Sequence, residues 1–82
     1  MFRCETDLLG NRWYFWNGID EAVKVNPDSG HVFHVIAPTS AYGSFYSIDL
    51  PWTDPAFPGT ERQRVRTFLA ARIEQGYARI VR

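Results

Sequence analysis

The sequence lacks the short motifs by which many enzymes and cofactor-binding proteins are recognised. It contains no glycine-rich phosphate-binding loop, no cysteine and histidine spacing typical of a zinc site, and no Gly-x-Ser-x-Gly nucleophile turn. Its acidic residues are scattered among turns and strand ends, where turn chemistry accounts for most of them. We therefore predict no catalytic residue, no metal site and no cofactor, and we expect that the protein is not an enzyme.

Cysteine is almost absent, since Cys4 is the only one in the chain. A single cysteine excludes an intramolecular disulfide. Cys4 has no neighbour in the sequence that would activate it as a nucleophile. A lone cysteine of this kind is usually a small buried apolar residue, and we expect that role for Cys4.

Long apolar runs are absent as well. No stretch approaches the roughly 20 residues that a membrane-spanning helix needs, and residues 1–10 lack the pattern of a signal peptide. We therefore expect a cytoplasmic protein that does not engage a membrane. A length of 82 residues leaves room for one hydrophobic core, so residues 1–82 are predicted to form a single domain.

Net charge is also absent, because nine Lys and Arg residues balance nine Asp and Glu residues. The charges are unevenly distributed along the chain. Residues 1–58 carry three basic and seven acidic residues, a balance of −4, whereas residues 59–82 carry six arginines and two acidic residues, a balance of +4. Either the two parts neutralise each other across the fold, or one end of the molecule steers a charged partner.

Strand and turn signals dominate the first part of the chain. Asn17-Gly18 predicts a hairpin with a two-residue type I′ turn, between the segments RWYFW and IDEAVKV. A similar break at Gly10-Asn11 predicts a preceding strand in FRCETDLL. After the turn NPDSG, the segments HVFHVIA and SFYSIDL continue the strand pattern. Residues 51–59 hold three of the five prolines and are predicted to be irregular, with Trp52 and Phe57 packed on the body.

The period of apolar residues changes from that of a strand to that of a helix after Thr60. Thr60 and Gln63 fit a capping box, and Gly76 stands where a helix commonly ends. The apolar positions Val65, Phe68, Leu69 and Ile73 recur at helical spacing. The tail YARIVR is predicted to form a short strand or to lie extended on the sheet. The sequence therefore predicts an α+β fold, a small antiparallel meander of four or five strands with one C-terminal helix packed on one face.

The aromatic segment of residues 13–16 raises the question of which rings the helix covers. Successive residues of a strand point to opposite faces, so one pair of rings lies under the helix and the other pair lies on the second face of the sheet. We expect Trp13 and Phe15 under the helix, and Tyr14 and Trp16 on the second face with Phe45, although the reverse assignment stays open. Either strong twist of the sheet encloses both sets, or one aromatic face is left for a partner.

Two histidines and one arginine remain to be placed, because each carries a group that can bind a metal ion or needs a charged partner. His31 and His34 are three apart in a predicted strand, so they point to opposite faces and do not share a metal ion. Arg72 falls almost within the apolar stripe of the helix. A guanidinium at a core-facing position requires a carboxylate, and we expect its partner among the acidic residues of 1–58.

These observations favour a non-enzymatic module that binds another protein or protein complex, because Trp, Tyr, Phe and Arg are enriched in interface cores. The candidate contact residues are Tyr14, Trp16, Phe45, Trp52, Arg62, Arg64 and Arg66. Small proteins of this type include phage and mobile-element inhibitors, such as anti-CRISPR proteins, which act by occupying a surface of a host protein. A homodimer through the second sheet face would use the same rings.

Nucleic-acid binding is the alternative function. In that case the arginines of the helix would contact phosphates and exposed rings would stack on bases. Arg62 and Arg66 form one column on the helical wheel, and Arg64 flanks the other edge of the apolar stripe. The zero net charge, the isoelectric point near 6.7 and the lack of an RNP1 string weigh against this alternative.

Overall fold

The computed structural model describes residues 2–40, 43–48, 61–76 and 78. These residues form five strands and one helix, namely β1 (Phe2–Thr6), β2 (Arg12–Trp16), β3 (Glu21–Val25), β4 (Val32–Ile36), β5 (Ser44–Ser47) and α1 (Glu61–Glu74). Every strand pairs antiparallel with the next one along the chain, in the spatial order β1-β2-β3-β4-β5. The predicted α+β meander with a C-terminal helix is therefore confirmed, with five strands.

Several predicted features lie outside the described residues. They are the proline-rich segment 51–59 with Trp52 and Phe57, the capping residue Thr60, and Tyr77 and residues 79–82 of the tail. Within the described ranges, no helix is long and apolar enough to cross a membrane.

The hairpin around Asn17-Gly18 forms, but its two-residue loop and its turn type were wrong. Phe15 pairs with Ala22, whereas a two-residue loop at Asn17-Gly18 would pair it with Asp20. The Ile19 amide donates to the Trp16 carbonyl over 3.3 Å, which places Asn17 and Gly18 at the centre of the turn. Gly18 has a φ of 97°, whereas the one described non-glycine residue with positive φ is Ala37. A type I′ turn needs positive φ at both central positions, and positive φ at the second position alone is the type II pattern.

Helix α1 packs on one face of the sheet through the predicted apolar stripe. Val65 and Leu69 are fully buried, and they form a cluster with the strand residues Tyr14, Val23, Val25 and Val32. Phe68 is partly buried against this cluster. The helix ends as predicted near Gly76, which has a φ of 74° and donates its amide to the Ile73 carbonyl over 3.1 Å.

The strand register decides which rings α1 covers. One row across the sheet consists of Cys4, Tyr14, Val23, His34 and Tyr46, and the adjacent row consists of Arg3, Phe15, Ala22, Val35 and Phe45. The first row lies on the side of α1, where Tyr14 is only 4 % exposed. The expectation of Trp13 and Phe15 under the helix is therefore wrong, and the reverse assignment holds. Tyr14 and Trp16 face α1 because their strand pairs them with the face of Val23 and Val25.

Truncation of Leu69 tests how α1 covers the sheet. We expect Leu69→Ala to lower the free energy of unfolding by about 2 to 5 kcal/mol, because it leaves a cavity between α1 and the sheet. Thr67→Ala, on the exposed side of the same helix, should change it by less than about 0.5 kcal/mol. Chemical denaturation of both variants measures the difference. Equal effects of the two substitutions would show that α1 does not close the core.

Candidate interaction surface

Arg72 enters the apolar contact between α1 and the sheet, and there it meets a buried carboxylate. Its guanidinium donates from Nε and Nη2 to the two oxygens of Glu21, with Nη2 3.2 Å from Oε2. Glu21 begins β3 and is only 3 % exposed. The prediction that Arg72 pairs with an acid of residues 1–58 is confirmed. This pair also supports neutralisation of the two oppositely charged parts of the chain across the fold.

His34 completes the cluster around Glu21. Its Nε2 lies 2.5 Å from Glu21 Oε1, and its ring meets Phe68 of α1 edge-on at a centroid distance of 5.1 Å. Burial lowers the pKa of His34, and the carboxylate of Glu21 offsets this only in part because the Arg72 charge acts in the opposite direction. His34 is therefore neutral at neutral pH, and its ring nitrogen donates to Glu21. The cluster fastens α1 to the sheet.

A second polar cluster joins the start of α1 to β2. The guanidinium of Arg12 donates from Nε and Nη2 to the two carboxylate oxygens of Glu61, each over 2.7 Å, and the Tyr14 hydroxyl donates to the same carboxylate. Arg12 is the main cause of the lowered pKa of Glu61. Burial, reinforced by Glu61, raises the pKa of Tyr14. Tyr14 is thus held in the core by both its ring and its hydroxyl.

The side of the sheet opposite α1 carries four large rings, which we name the aromatic face: Trp13, Phe15, Phe33 and Phe45. Trp13 stacks on Phe15 with centroids 6.1 Å apart, and the edge of Phe45 meets Trp13 at 6.2 Å. Phe45 is 55 % exposed and the other three rings are half-buried. The rings close over the fully buried Ala22 and Val35, which share this face. The aromatic face is therefore a packed layer of rings, and Phe45 is the most exposed of the four.

Two cations of the chain lie over these rings. Lys24 stands between Trp13 and Phe33 in the strand register, and its Nζ is 5.4 Å from the Trp13 centroid, 5.6 Å from that of Phe45 and 5.9 Å from that of Phe33. The Arg3 guanidinium lies 4.7 Å from the Phe15 centroid. Each such contact between a cation and a ring contributes about 0.5 to 1 kcal/mol at an exposed site. The two cations therefore help to hold the rings in place and leave part of the ring surface exposed to solvent.

The turn between β1 and β2 stands next to the aromatic face. Its first residue, Asp7, accepts hydrogen bonds on one carboxylate oxygen from the amides of Leu9 and Asn11, and on the other from the side chains of Asn11 and Trp13. These bonds, that from Trp13 foremost, lower the pKa of Asp7 to about 2. The carboxylate of Asp7 therefore stays ionised and connects the turn to the indole of Trp13.

An open groove of about 270 Å³ runs from this turn along the aromatic face. Its lining residues are Trp13 and Phe15 of the aromatic face together with Glu5, Thr6, Asp7, Pro38 and Thr39. The groove makes the turn and the aromatic face one continuous surface.

The predicted contact residues do not form one surface. Phe45 belongs to the aromatic face, whereas Tyr14 is buried and cannot contact a partner in this fold, because it lies in the row that α1 covers. Trp16 is half-buried on the α1 side, with the Arg66 guanidinium 5.6 Å from its ring centroid. Trp52 lies outside the described residues.

The other two arginines of the predicted set are also on or near the α1 side. The Arg62 guanidinium lies 4.9 Å from the Phe2 centroid and donates to the Phe2 carbonyl over 3.1 Å. Arg64 lines a separate cavity of about 170 Å³ together with Arg12 and Glu61. The predicted contact set did not include Trp13, Phe15, Lys24, Phe33, Leu8 and Leu9, although the reverse assignment left open above placed Trp13 and Phe15 on the second face. The predicted hairpin could have identified Trp13 and Phe15. A two-residue loop pairs Trp16 with Ile19, so Trp16 and Tyr14 share the face of Val23 and Val25. Strand alternation then places Trp13 and Phe15 on the other face.

The remaining candidate residues are the two histidines and the cysteine. His31 meets the edge of Phe33 at 6.2 Å, and His34 faces α1, so the two imidazoles point to opposite faces as predicted. Cys4 is exposed, and the expectation of a buried cysteine is wrong, because β1 is an edge strand in which residues 3–6 are all exposed.

Comparison with known proteins gives no relative. No family model matches the sequence, and no curated protein or solved structure is significantly similar to it. The function is therefore inferred from the geometry of the chain itself.

Removal of Arg72 tests whether the Glu21 cluster fastens α1. We expect Arg72→Met to cost about 3 to 5 kcal/mol in unfolding free energy, because it leaves the buried Glu21 carboxylate without its cation. The double variant Glu21→Met, Arg72→Met should recover most of this loss, since it removes both charges. Denaturation of the single and double variants measures the coupling. Additive losses would contradict the ion pair.

The lowered pKa of His34 predicts a pH dependence of stability. The unfolded chain binds a proton near the ordinary value of 6.5, whereas the folded chain binds it only at lower pH. Stability is therefore complete above pH 6.5 and falls as the pH drops toward the folded pKa. Thermal unfolding of the wild type should show this fall, and His34→Gln should abolish it. Asp7 and Glu61 add their own loss only at lower pH, near and below their ordinary values of 3.8 and 4.5. An unchanged pH profile in the variant would exclude His34 as the cause.

Proposed function

We propose that the chain is a non-enzymatic protein-binding module and that the aromatic face is its main contact surface. The observation that carries this proposal is the layer of four rings on the side of the sheet opposite α1, with Phe45 55 % exposed. Aromatic residues and arginine are enriched in the centres of protein interfaces. Trp13 and Arg3 fit this composition.

The aromatic face is also ordered before any partner arrives. Trp13 packs against both Phe15 and Phe45, and its indole nitrogen is fixed by Asp7 over 2.9 Å. Rings held in this way lose little conformational entropy on binding, and this makes their burial against a partner more favourable. Lys24 and Arg3 lie over the rings, so a partner that offers carboxylates or carbonyl oxygens opposite them would match this face in charge.

Nucleic-acid binding receives less support from the same geometry. Arg62 and Arg66 lie over Phe2 and Trp16 on the α1 side of the sheet, whereas the aromatic face is on the other side. A single-stranded nucleic acid would therefore not place its phosphates on the helix arginines and its bases on the aromatic face at the same time, as the alternative function requires. Bases that stack on Trp13 or Phe15 would also compete with Lys24 and Arg3 for the ring faces.

The same proposal covers the mode of action. A small module of this kind acts by occupying a surface of its partner, as phage and mobile-element inhibitors such as anti-CRISPR proteins do. This comparison rests on size and type. A single cysteine suits a reducing compartment, and we propose that the module acts in the cytoplasm.

Two neighbouring residues of β5 provide a matched test. Phe45 and Tyr46 are each 55 % exposed and point to opposite faces of the sheet. We expect Phe45→Ala to weaken binding by about 2 kcal/mol, as loss of an aromatic anchor does, and Tyr46→Ala to have little effect. Partners are captured from a native lysate, identified by mass spectrometry, and titrated with both variants.

Two results would overturn the proposal. Equal losses of affinity for both variants would show that the aromatic face has no special role. Tight binding of generic single-stranded oligonucleotides would favour the alternative, with a slope of log affinity against log salt of about −0.7 per phosphate contact.

A further inference from the structure

The tip of the β1–β2 hairpin presents two leucines to solvent. Leu8 and Leu9 have relative exposures of 105 % and 84 %, and they occupy the two central positions of the turn that the Gly10 amide closes on the Asp7 carbonyl over 3.1 Å. Turns favour Gly, Asn, Asp, Ser and Pro at such positions, because these residues suit the backbone and are easily hydrated. The turn itself therefore does not require leucine at either position.

The chain holds this tip in one conformation. Asp7 binds four hydrogen-bond donors of residues 9–13, and its amide donates to the Asn11 carbonyl over 3.0 Å. Asn11 is buried, and Gly10 takes the φ of 85° that ends the turn. Two apolar side chains on a rigid support can enter a partner at a small entropic cost.

The tip is continuous with the aromatic face. The Trp13 indole nitrogen donates to Asp7, and Asp7 lines the groove together with Trp13 and Phe15. Leu8 follows Asp7 directly in the chain, so a partner that fills this groove up to Asp7 comes next to the tip.

We infer that Leu8 and Leu9 anchor the module in an apolar pocket of its partner protein, an inference that rests on the proposed protein-binding function. The tip is convex and apolar, so the surface that receives it is concave and apolar. Glu5 is paired with Arg3 over 3.2 Å, whereas the four donors that bind Asp7 are all neutral, so Asp7 keeps its negative charge at the base of the tip. This charge matches a pocket edged by Lys or Arg. An anionic membrane is bound through clusters of basic residues, and the turn of residues 7–11 contains no Lys or Arg, so the proposed occupant is a folded protein and not a lipid surface.

Site-specific cross-linking identifies what the tip contacts. A photoreactive diazirine amino acid is placed at Leu8, at Phe45 of the aromatic face, or at the exposed Glu74 at the end of α1. Each full-length chain is irradiated in a native lysate. We expect Leu8 and Phe45 to cross-link to the same protein, Glu74 to give no product with it, and the peptide attached at Leu8 to combine apolar residues with Lys or Arg.

Affinity for the protein so identified then measures the anchor. Leu8→Ser, Leu9→Ser should weaken binding by about 10- to 100-fold, the loss expected when two leucines are no longer buried. Leu8→Met, Leu9→Met keeps the apolar volume and should retain most of the affinity. Both double variants should unfold at the wild-type denaturant concentration, because the side chains are exposed and serine suits a turn.

The outcomes separate the anchor from the proposed function. A protein cross-linked through Phe45 but not through Leu8, or unchanged affinity of the serine variant, would overturn the anchor and leave the protein-binding function intact. Cross-links from Leu8 to lipid or to a second copy of the chain would overturn the anchor as stated. Absence of protein products from both positions would overturn both proposals.

Discussion

The buried carboxylate of Glu21 is the constraint on which the rest of the structure depends. Glu21 begins the central strand β3 and points to the side of Val23 and Val25, so its charge is removed from water as soon as that side is covered. A lone buried carboxylate costs several kcal/mol, and the chain meets this cost with Arg72 and His34 together. The helix must therefore lie where its last turn brings Arg72 to Glu21, and this fixes which face of the sheet α1 covers.

The aromatic face follows from that placement. One helix of fourteen residues covers one face of a five-stranded sheet, and both faces carry large apolar side chains. On the face that α1 does not cover, the small side chains of Ala22 and Val35 allow the neighbouring rings to close over them. Lys24 occupies the position among three of these rings where a core would have an apolar residue. A lysine at that position keeps the layer compatible with water and leaves the outer ring surface of Phe45 open.

Much of the fold could be predicted from local patterns, and the errors have identifiable physical causes. The strands, the helix, its glycine end and the carboxylate partner of Arg72 follow from periodicity, turn residues and the cost of a buried charge. The covered face was misassigned because both alternating sets in RWYFW are aromatic, so hydrophobicity alone does not choose between them. Pairing of Trp16 with Ile19 in the predicted hairpin already placed Tyr14 and Trp16 on the Val23 side. Leu8 and Leu9 were missed because the predicted strand FRCETDLL included them and the break was placed at Gly10-Asn11, whereas β1 ends at Thr6 and the turn occupies residues 7–10.

Asp7 makes the proposed contact surface less sensitive to acid than the core. The same carboxylate orders the tip and orients Trp13, so a shift of the turn also moves the edge of the aromatic face. Its pKa of about 2 keeps it ionised in mild acid, and this coupling persists there. The cluster of Glu21, His34 and Arg72 responds to mild acid instead, because protonation of His34 adds a charge to a buried site. Acid therefore loosens the attachment of α1 before it alters the shape of the proposed contact surface.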